Sequence, residues 1–575
     1  MTNALSTEAS RAHSLTLSQQ ATLAPMRDIA AGMGIDEELV EPYGRGAAKI
    51  DLATVEQLSA RPRAKYVVVT AITPTPLGEG KTTTVIGLGQ GLNRTGRSAT
   101  IAIRQPSMGP TLGIKGGGAG GGRSQVVPME RLNLHLTGDI HAVTAAHNQL
   151  AAQIDNHLFR GSRSGLAPDR VTWRRALDVN DRALRTIVAG LGARTDGPTR
   201  QSGFDITAAS EVMATLALTT SLQDLRERLG RIVVGYTRDG EPVTAERIGA
   251  AGAMTVLLRE AIKPNLMQTM ENTPALVHCG PFGNIATGNS SVVADLIGIH
   301  TGEFLVTEAG FAADMGAERF FNIKCRVSGL IPDAAVVVAT VRALKAHSGR
   351  HRVIAGRPLP QGLLEENPDD VRAGADNLRA QLAIIRHHGV TPVVAINAFP
   401  NDHASEVAAI REIAAEEGVR CAASTHFADG GRGAEELAEA VAEAVTEPAT
   451  SSFRLLYPDE APLREKIDLI AREIYGADGV DFSATAAADI DGFQSAGYGR
   501  LPICVAKTHL SLSSDPALKG APRGWRLPVR EVRLSAGAGF VYPICGTMQT
   551  MPGLGSAPAA ESIDIDSDGN TVGLF

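Results

Sequence analysis

The chain has 575 residues, 43% of them apolar, and it carries 55 basic and 62 acidic side chains for a formal net charge of -7. This length exceeds what one hydrophobic core organises, so we predict two or three domains. Charges of both signs are spread along the chain without a basic cluster, which makes nucleic acid an unfavourable partner.

Cysteine usage and hydropathy indicate the compartment. The five cysteines are far apart and odd in number, which argues against a disulfide framework and against a zinc ribbon. The N-terminal residues lack the apolar run of a signal peptide, and no later run has the length of a transmembrane helix. We therefore predict a soluble cytoplasmic protein that makes no membrane contact.

The first strong pattern along the chain is a strand, a glycine loop and a helix. Tyr66–Ile72 is an apolar run typical of a strand, and Thr82–Leu92 has the spacing of an amphipathic helix. The connecting sequence is Thr73-Pro-Thr-Pro-Leu-Gly-Glu-Gly-Lys81, which fits the context of a phosphate loop. The pattern is imperfect, because Thr75 stands where such loops have their first glycine.

This loop predicts a site for MgATP. Backbone amides of the loop and of the helix start can point at phosphate oxygens, Lys81 can neutralise them, and the Thr82 hydroxyl can ligate magnesium. The predicted cofactor-binding residues are Thr75, Pro76, Leu77, Gly78, Glu79, Gly80, Lys81, Thr82 and Thr83. The alternative is an ordinary strand-to-helix turn with a lysine that faces solvent.

Two later strands end in charged residues. Ala99–Ile103 is followed by Arg104, and because open α/β folds bind ligands at the carboxyl edge of the sheet, we expect Arg104 near the γ-phosphate. We predict that Arg104 and Lys81 are catalytic, since a guanidinium can bridge two oxygens of a transferring phosphoryl group. Phe304–Thr307 is followed by Glu308, a candidate second magnesium ligand; a carboxylate that caps a loop is the alternative.

The remaining elements complete the predicted architecture. Ala275–His278 and Pro392–Ile396 are predicted strands, and helices are predicted over Asp178–Leu191, Leu222–Leu229 and Asp370–His388. Strands that alternate with helices indicate an α/β fold with a mainly parallel sheet. The glycine tract Gly113–Gly122 is predicted to be neither a helix nor the core of a strand, and Asp568-Gly569 predicts a hairpin turn.

Composition suggests where the domains divide. Proline, glycine and polar residues cluster at 358–368 and again at 448–462. We predict a large N-terminal domain of the phosphate-loop NTPase type over residues 1–365, followed by two smaller α/β domains over residues 366–455 and 456–575.

Ordered sequence blocks along the whole chain resemble those of the formate–tetrahydrofolate ligase family. They are Thr73–Thr84, Gly113–Gly122, Ser124–Glu130, Thr137–His141, Gly230–Tyr236, Thr307–Asp314, Val338–Lys345, Ala395–Pro400 and Val529–Gly539. The resemblance implies a three-domain phosphate-loop fold, a homotetramer, and ATP-dependent synthesis of formyltetrahydrofolate from formate and tetrahydrofolate through formyl phosphate. It also implies that the second domain contributes to the folate pocket.

The resemblance also implies roles for single residues. Lys81 binds the phosphates, Arg104 holds formyl phosphate, and Asp139 hydrogen-bonds the pterin. Phe311 and Phe427 sandwich the pterin, and the same pocket is lined by Pro400.

Three positions depart from the family pattern. Phe427 stands where tryptophan is usual, Gln105 where glutamate is common, and Arg123 where tyrosine is usual. A neutral amide attracts potassium or ammonium less than a carboxylate does, so we predict that activation by a monovalent cation is weak in this protein.

One function of a different class competes with the ligase. A phosphate-loop switch or metal-insertion chaperone would use its nucleotide state to gate a partner, and it would hydrolyse ATP without formate or folate. GTP specificity has no support, because Asn397-Ala-Phe-Pro400 lacks the lysine and aspartate of a guanine-reading motif.

Overall fold

The computed structural model describes residues 13–76, 78–113, 117–161, 164–354, 358–447 and 452–574. In these ranges the first helix, α1, covers residues 13–20. The other α-helices are α2 (Met26–Gly32), α3 (Thr54–Leu58), α4 (Lys81–Arg94), α5 (Met108–Leu112), α6 (Met129–Asn133), α7 (Asp139–Phe159), α8 (Glu211–Leu218), α9 (Leu222–Arg231), α10 (Ala245–Ile248), α11 (Ala251–Leu258), α12 (Val292–Gly298), α13 (Arg326–Ser328), α14 (Val341–His347), α15 (Gln361–Leu364), α16 (Pro368–Ala373), α17 (Ala375–His387), α18 (Ala404–Glu416), α19 (His426–Asp429), α20 (Glu435–Ala444), α21 (Leu463–Leu469) and α22 (Ala484–Phe493). Turns of π-helix are Ala313–Ala317, Phe320–Cys325, Ile470–Ile474 and Gln494–Tyr498.

The same ranges contain the strands. They are β1 (Val40–Pro42), β2 (Ala48–Ile50), β3 (Lys65–Ala71), β4 (Ala99–Ile103), β5 (Gly120–Gly121), β6 (Ser124–Val127), β7 (Leu166–Val171), β8 (Arg175–Leu177), β9 (Ile187–Ala189), β10 (Arg200–Ser202), β11 (Phe204–Ile206), β12 (Val233–Thr237), β13 (Pro242–Thr244), β14 (Asn265–Thr269), β15 (Pro274–Val277), β16 (Phe304–Glu308), β17 (Ala334–Ala339), β18 (Thr391–Asn397), β19 (Arg420–Ser424), β20 (Val480–Phe482), β21 (Leu527–Val529), β22 (Glu531–Ser535), β23 (Phe540–Ile544), β24 (Asp564–Ile565) and β25 (Thr571–Val572).

A large central sheet organises the described chain. Its strand order is β1-β2-β14-β15-β4-β16-β3-β17-β18-β19, with β6 and β5 attached beside β14. Every pair from β15 to β19 in this order is parallel, whereas β1, β2, β14 and β6 pair antiparallel at one edge. The predicted α/β class with a mainly parallel sheet is confirmed, and the five predicted strands lie in this sheet.

The central strands are apolar because both faces of the sheet are buried. In β3, Tyr66 and Val68 belong to the hydrophobic core on one face, and Val67 and Val69 belong to the core on the other. Successive side chains of a strand point to opposite faces, so a strand covered on both sides needs a continuous apolar run. That run is the signal by which β3 could be found in the sequence.

The helix predicted over Asp178–Leu191 is wrong. The Asp178 carboxylate is buried and accepts hydrogen bonds from the Ser107 hydroxyl and, at 2.9 Å, from the Met108 amide. A single 3₁₀ turn follows at Arg182–Arg185, and the β-branched residues of β9 then pair with β10. A side chain that bonds to backbone elsewhere competes with helix formation, and here the tertiary contact prevails over local propensity.

The helix predicted over Asp370–His388 and the hairpin predicted at Asp568-Gly569 are confirmed. The helix predicted over Asp370–His388 exists as α16 and α17 with a break at Gly374. The C-terminal hairpin β24–β25 turns at the predicted position, with Gly569 at φ 83°. In the glycine tract, residues 114–116 lie outside the described ranges, and only Gly120–Gly121 forms a short strand.

The sheet continues across the boundary predicted at residue 365. Strand β18, from the predicted second domain, pairs in register with β17 of the first, and β19 pairs with β18. The predicted third domain contributes small separate sheets, β20–β21 and β22–β23. The limits of the three domains stay a prediction. Among helices in the described ranges, none combines the length and apolarity needed to cross a bilayer.

Candidate active site

The loop between β3 and α4 has the conformation that its glycines predict. Gly78 and Gly80 have φ of 78° and 74°, and Gly80 immediately precedes the helix. A Cβ atom on Gly80 would lie 2.4 Å from Nδ2 of Asn397, so both the left-handed backbone and the close neighbour require glycine. Leu77 lies outside the described residues.

The Glu79 carboxylate stabilises this loop through hydrogen bonds. Its Oε1 atom accepts hydrogen bonds from the Thr75 amide at 2.7 Å and the Thr75 hydroxyl at 2.9 Å. Its Oε2 atom accepts a bond from the hydroxyl of Thr340, which follows β17. Thr75 therefore replaces the missing first glycine with a side chain that is bonded within the loop, and the buried Glu79 carboxylate faces the protein interior.

A strand residue and a helix residue from distant parts of the chain hold the loop backbone. The Asn397 amide, at the end of β18, donates to the Glu79 carbonyl at 3.1 Å. Arg342 donates to the Gly78 carbonyl at 2.8 Å, and its guanidinium lies 4.2 Å from the centre of the Phe399 ring. Sequence reasoning missed these contacts; the one available signal was an asparagine at the end of a strand, which we considered only as a base-reading motif.

Three predicted functional residues meet beside the loop. The Thr82 hydroxyl donates to Oε2 of Glu308 at 2.7 Å, and the Arg104 amide donates to Oε1 of Glu308 at 3.2 Å. Arg104 Nε is 4.0 Å from the same oxygen, and its Nη1 donates to the Pro281 carbonyl at 2.9 Å. These residues stand at the carboxyl ends of β4 and β16 and at the start of α4, where open α/β sheets bind ligands.

The charge of Lys81 is sensitive to this environment. Burial lowers the pKa of the Lys81 ammonium to about 8, while Glu79 and Glu308 oppose the shift and Arg104 adds to it. An incoming polyphosphate would supply negative charge that stabilises the ammonium form. The site is therefore suited to an anion that arrives beside Lys81 and Arg104.

Thr82 and Glu308 offer oxygen ligands of the kind that magnesium prefers. Within the described ranges, no group of three or more histidine, cysteine, aspartate or glutamate side chains could hold a metal ion. In nucleotide sites, magnesium is bound by one or two protein oxygens together with phosphates and water.

Asp139 lies at the start of α7 and is buried. Its Oδ1 and Oδ2 accept hydrogen bonds from the Lys49 ammonium at 2.6 and 2.7 Å, and Oδ2 also accepts from the Asn265 amide at 2.7 Å. Burial lowers the pKa of Lys49, and the adjacent Asp139 opposes this shift. Sequence reasoning missed Lys49, although a lysine within the apolar run of β2 was a visible anomaly.

The three predicted pocket-lining residues have different surroundings. Phe311 follows β16 and stacks on His509, with ring centroids 4.5 Å apart. Phe427, 38% exposed, lies against the glycine tract, and its carbonyl accepts a hydrogen bond from the Arg123 amide at 2.9 Å. Pro400 is exposed after β18. The pterin sandwich between Phe311 and Phe427 stays a prediction.

Gln105 is buried directly after Arg104. Its backbone N–H donates to the Cys279 carbonyl at 2.7 Å. Within the described ranges, neither polar atom of its side chain has a hydrogen-bond partner. A buried side-chain amide without partners is costly, so this position favours a polar ligand that can bond to it.

Comparison with known proteins identifies relatives over almost the full length. A family model for formate–tetrahydrofolate ligase matches residues 12–575. Formate–tetrahydrofolate ligase 3 of Rubrobacter xylanophilus is 67% identical over 569 residues, which cover 98% of this chain and 99% of the relative. The ligase of Saccharopolyspora erythraea is 68% identical over 97% of this chain and 99% of its own, and that of Chloroflexus aggregans is 58% identical over 98% and 100%.

Proposed function

Because the chain belongs to the formate–tetrahydrofolate ligase family, we propose that the site around Lys81, Arg104 and Glu308 makes formyltetrahydrofolate through formyl phosphate. The protein is an ATP-dependent ligase of one-carbon metabolism, with formate and tetrahydrofolate as substrates. The hydrogen bonds of Thr82 and Arg104 to the Glu308 carboxylate, whose charge acts on the pKa of Lys81, carry the proposal.

The first step joins two anions. A formate oxygen attacks the γ-phosphorus of ATP, the bond to the β-γ bridging oxygen breaks, and ADP leaves. Lys81 and the amides of residues 78–82 bind the phosphates, and the Arg104 guanidinium spreads the charge of the transferred group. Bound magnesium, held by Thr82 and Glu308, would further neutralise the phosphate oxygens.

The second step transfers the formyl group. The secondary amine of tetrahydrofolate attacks the formyl carbon, inorganic phosphate leaves, and the amine proton passes to solvent or phosphate. Asp139 anchors the pterin with the lone pair of Oδ1 that Lys49 leaves unused, since a carboxylate oxygen accepts from the donor edge of a pterin. Phe311, Phe427 and Pro400 form the apolar walls, and each stacked ring adds about 0.5–1.5 kcal/mol beyond burial.

Product formation tests the proposal. Acid converts the product to methenyltetrahydrofolate, whose absorbance is measured with MgATP, formate and tetrahydrofolate together and with each omitted in turn. We expect product only when all three are present, and Arg104→Ala should lower kcat about 10²-fold or more, as loss of a transition-state donor does. Arg500→Ala, an exposed arginine outside the site, is the matched control.

The rival function predicts a different result. A non-catalytic switch or chaperone would hydrolyse ATP at the same rate with and without formate and folate. The comparisons give that function no support, since the relatives are named as ligases. ATP turnover indifferent to both substrates would nevertheless overturn the ligase mechanism.

We also propose a homotetramer in the cytoplasm. The five cysteines are unpaired, which suits a reducing compartment. Exposed apolar side chains such as Leu191, Val188 and Val256 are available to be covered by other subunits. Sedimentation equilibrium at several protein concentrations tests the subunit number; a monomer at all concentrations would contradict the tetramer.

A further inference from the structure

Phe311 has an unusual backbone conformation for an aromatic residue. Its φ is 63°, in the left-handed region, directly after Gly310 at the end of β16. A bulky residue persists there only when its surroundings hold it, and such residues concentrate at binding sites. The contacts that hold Phe311 are therefore functional candidates.

One aromatic contact of Phe311 comes from the C-terminal part of the chain. The rings of Phe311 and His509 are stacked with centroids 4.5 Å apart and planes inclined by 24°. On another side, a Cβ atom at Gly283 would lie 2.7 Å from Cε2 of Phe311, so that glycine leaves the space in which the ring sits. His509 is only partly exposed.

The segment that carries His509 is fixed to the same part of the molecule as Phe311. Residues 505–511, called here the His509 segment, contain Lys507, whose buried ammonium pairs with Asp314 at 2.7 Å. Lys507 also donates to the Ser511 carbonyl at 2.6 Å and to the Thr508 carbonyl at 3.1 Å. The ammonium thus fixes the shape of the segment and ties it to a residue three positions after Phe311.

Arg319 makes a second connection. Its fully buried guanidinium donates to the Val505 carbonyl in the His509 segment, and to the Ala286 carbonyl, at 2.9 Å, and the Gly283 carbonyl. One side chain therefore joins the His509 segment to the loop that lies against the Phe311 ring. Both neighbours of that ring are held by buried charged groups.

We infer that His509 is a positioning residue of the folate pocket: its imidazole holds the Phe311 ring in the orientation on which the pterin stacks. The inference rests on the proposed folate site. It gives the C-terminal region a role in a reaction whose other proposed groups lie on the strands of the central sheet and on the helices and loops beside them. A ring that is already held in place loses less conformational freedom when the ligand binds. His509 should therefore strengthen the binding of folate and leave the binding of ATP unchanged.

The test compares KM with kcat in variants of His509. His509→Ala and His509→Asn should raise KM for tetrahydrofolate about threefold to tenfold, the range of one aromatic pair. Their kcat and their KM for MgATP and formate should stay unchanged. His509→Phe should restore the wild-type KM, because it keeps a ring on Phe311. His300→Ala is the matched control, because His300 is a partly exposed histidine near the amino-terminal ends of β3 and β16, away from the site.

Phe311→Ala separates failure of the inference from failure of the proposed site. If Phe311→Ala raises KM for tetrahydrofolate and His509→Ala does not, the folate site stands and the inference is wrong. If His509→Ala lowers that KM, the imidazole obstructs the pterin and the inference is also overturned. If Phe311→Ala leaves it unchanged, the proposed folate site fails. Should His509→Ala not fold, His509→Asn and His509→Phe give the same comparison.

Discussion

At the scale of single residues, Lys81 couples ATP binding to protons. Burial lowers its pKa to about 8 in the free protein, and bound phosphates raise it again. ATP therefore binds preferentially to the protein with Lys81 protonated. The affinity for ATP is highest below about pH 8 and declines as the pH rises toward the pKa of Lys81 in the complex. The decline reaches at most about tenfold per pH unit for a single group.

Calorimetry of ATP binding near pH 9, without formate or folate, checks this prediction. The observed enthalpy should depend on the ionisation enthalpy of the buffer, with uptake of up to about one proton per site. In Lys81→Met the dependence should disappear along with most of the affinity. A wild-type enthalpy that is the same in all buffers would show that Lys81 does not titrate on binding.

Gln105 predicts a weak response to monovalent cations. Its buried amide is neutral, and replacement with glutamate would add a negative charge whose attraction for a potassium ion at about 4 Å is on the order of 4 kcal/mol near a protein surface. We expect Gln105→Glu to respond to potassium more strongly than wild type. Activity is measured against KCl at constant ionic strength with tetramethylammonium chloride; strong stimulation of wild type would contradict the prediction.

At the scale of elements, the loop before α4 depends on Gly80. Alanine there would have to keep φ at 74° and displace Asn397, which then releases the Glu79 carbonyl. We expect Gly80→Ala to raise KM for MgATP at least about tenfold, because loop amides no longer face the phosphates together.

Gly96→Ala is the control for backbone strain alone. Gly96 ends the same helix at φ 82° with no atom within 4 Å of the added Cβ, so alanine should cost about 1–2 kcal/mol of stability. Its KM for MgATP should equal that of wild type. Equal KM values in the two variants would mean that Asn397 can move without harm to the loop.

Elements could be predicted where the signal is local. The apolar run of β3, the glycines before α4 and the charged residue after β4 are all adjacent in sequence to what they explain. The helix prediction over Asp178–Leu191 is wrong because the hydrogen bond from Ser107 to Asp178 joins residues that are far apart in sequence, and a local sequence pattern does not show it. Lys49, which holds Asp139, was missed for the same reason: its partner is 90 positions away.

At the scale of the whole molecule, distant parts of the chain meet around the site. The sheet order puts β3 between β16 and β17, so the end of β16 contacts the start of α4 through Glu308, and Thr340 after β17 contacts the loop at Glu79. Composition predicts α/β layering but not this order, because β16 and β17, the two neighbours of β3, lie far from it along the chain. The contribution of the C-terminal region to Phe311 was likewise beyond any sequence pattern.

The contacts between the C-terminal region and the sheet should also contribute to the free energy of unfolding. Lys507→Met would leave Asp314 as a buried carboxylate without its cation, and removal of one partner of a buried pair costs about 3–5 kcal/mol. Arg500→Met breaks an exposed pair with Glu460 and should cost about 0–1 kcal/mol. Urea unfolding followed by the fluorescence of Trp173 and Trp525 measures both.

The double variant Lys507→Met/Asp314→Asn separates the buried charge from lost packing. Removing both charges should recover part of the stability lost in Lys507→Met, since no uncompensated carboxylate remains. If the double variant is as unstable as the sum of the two single variants, the loss comes from packing, and the ion pair is not what joins the C-terminal region to the sheet.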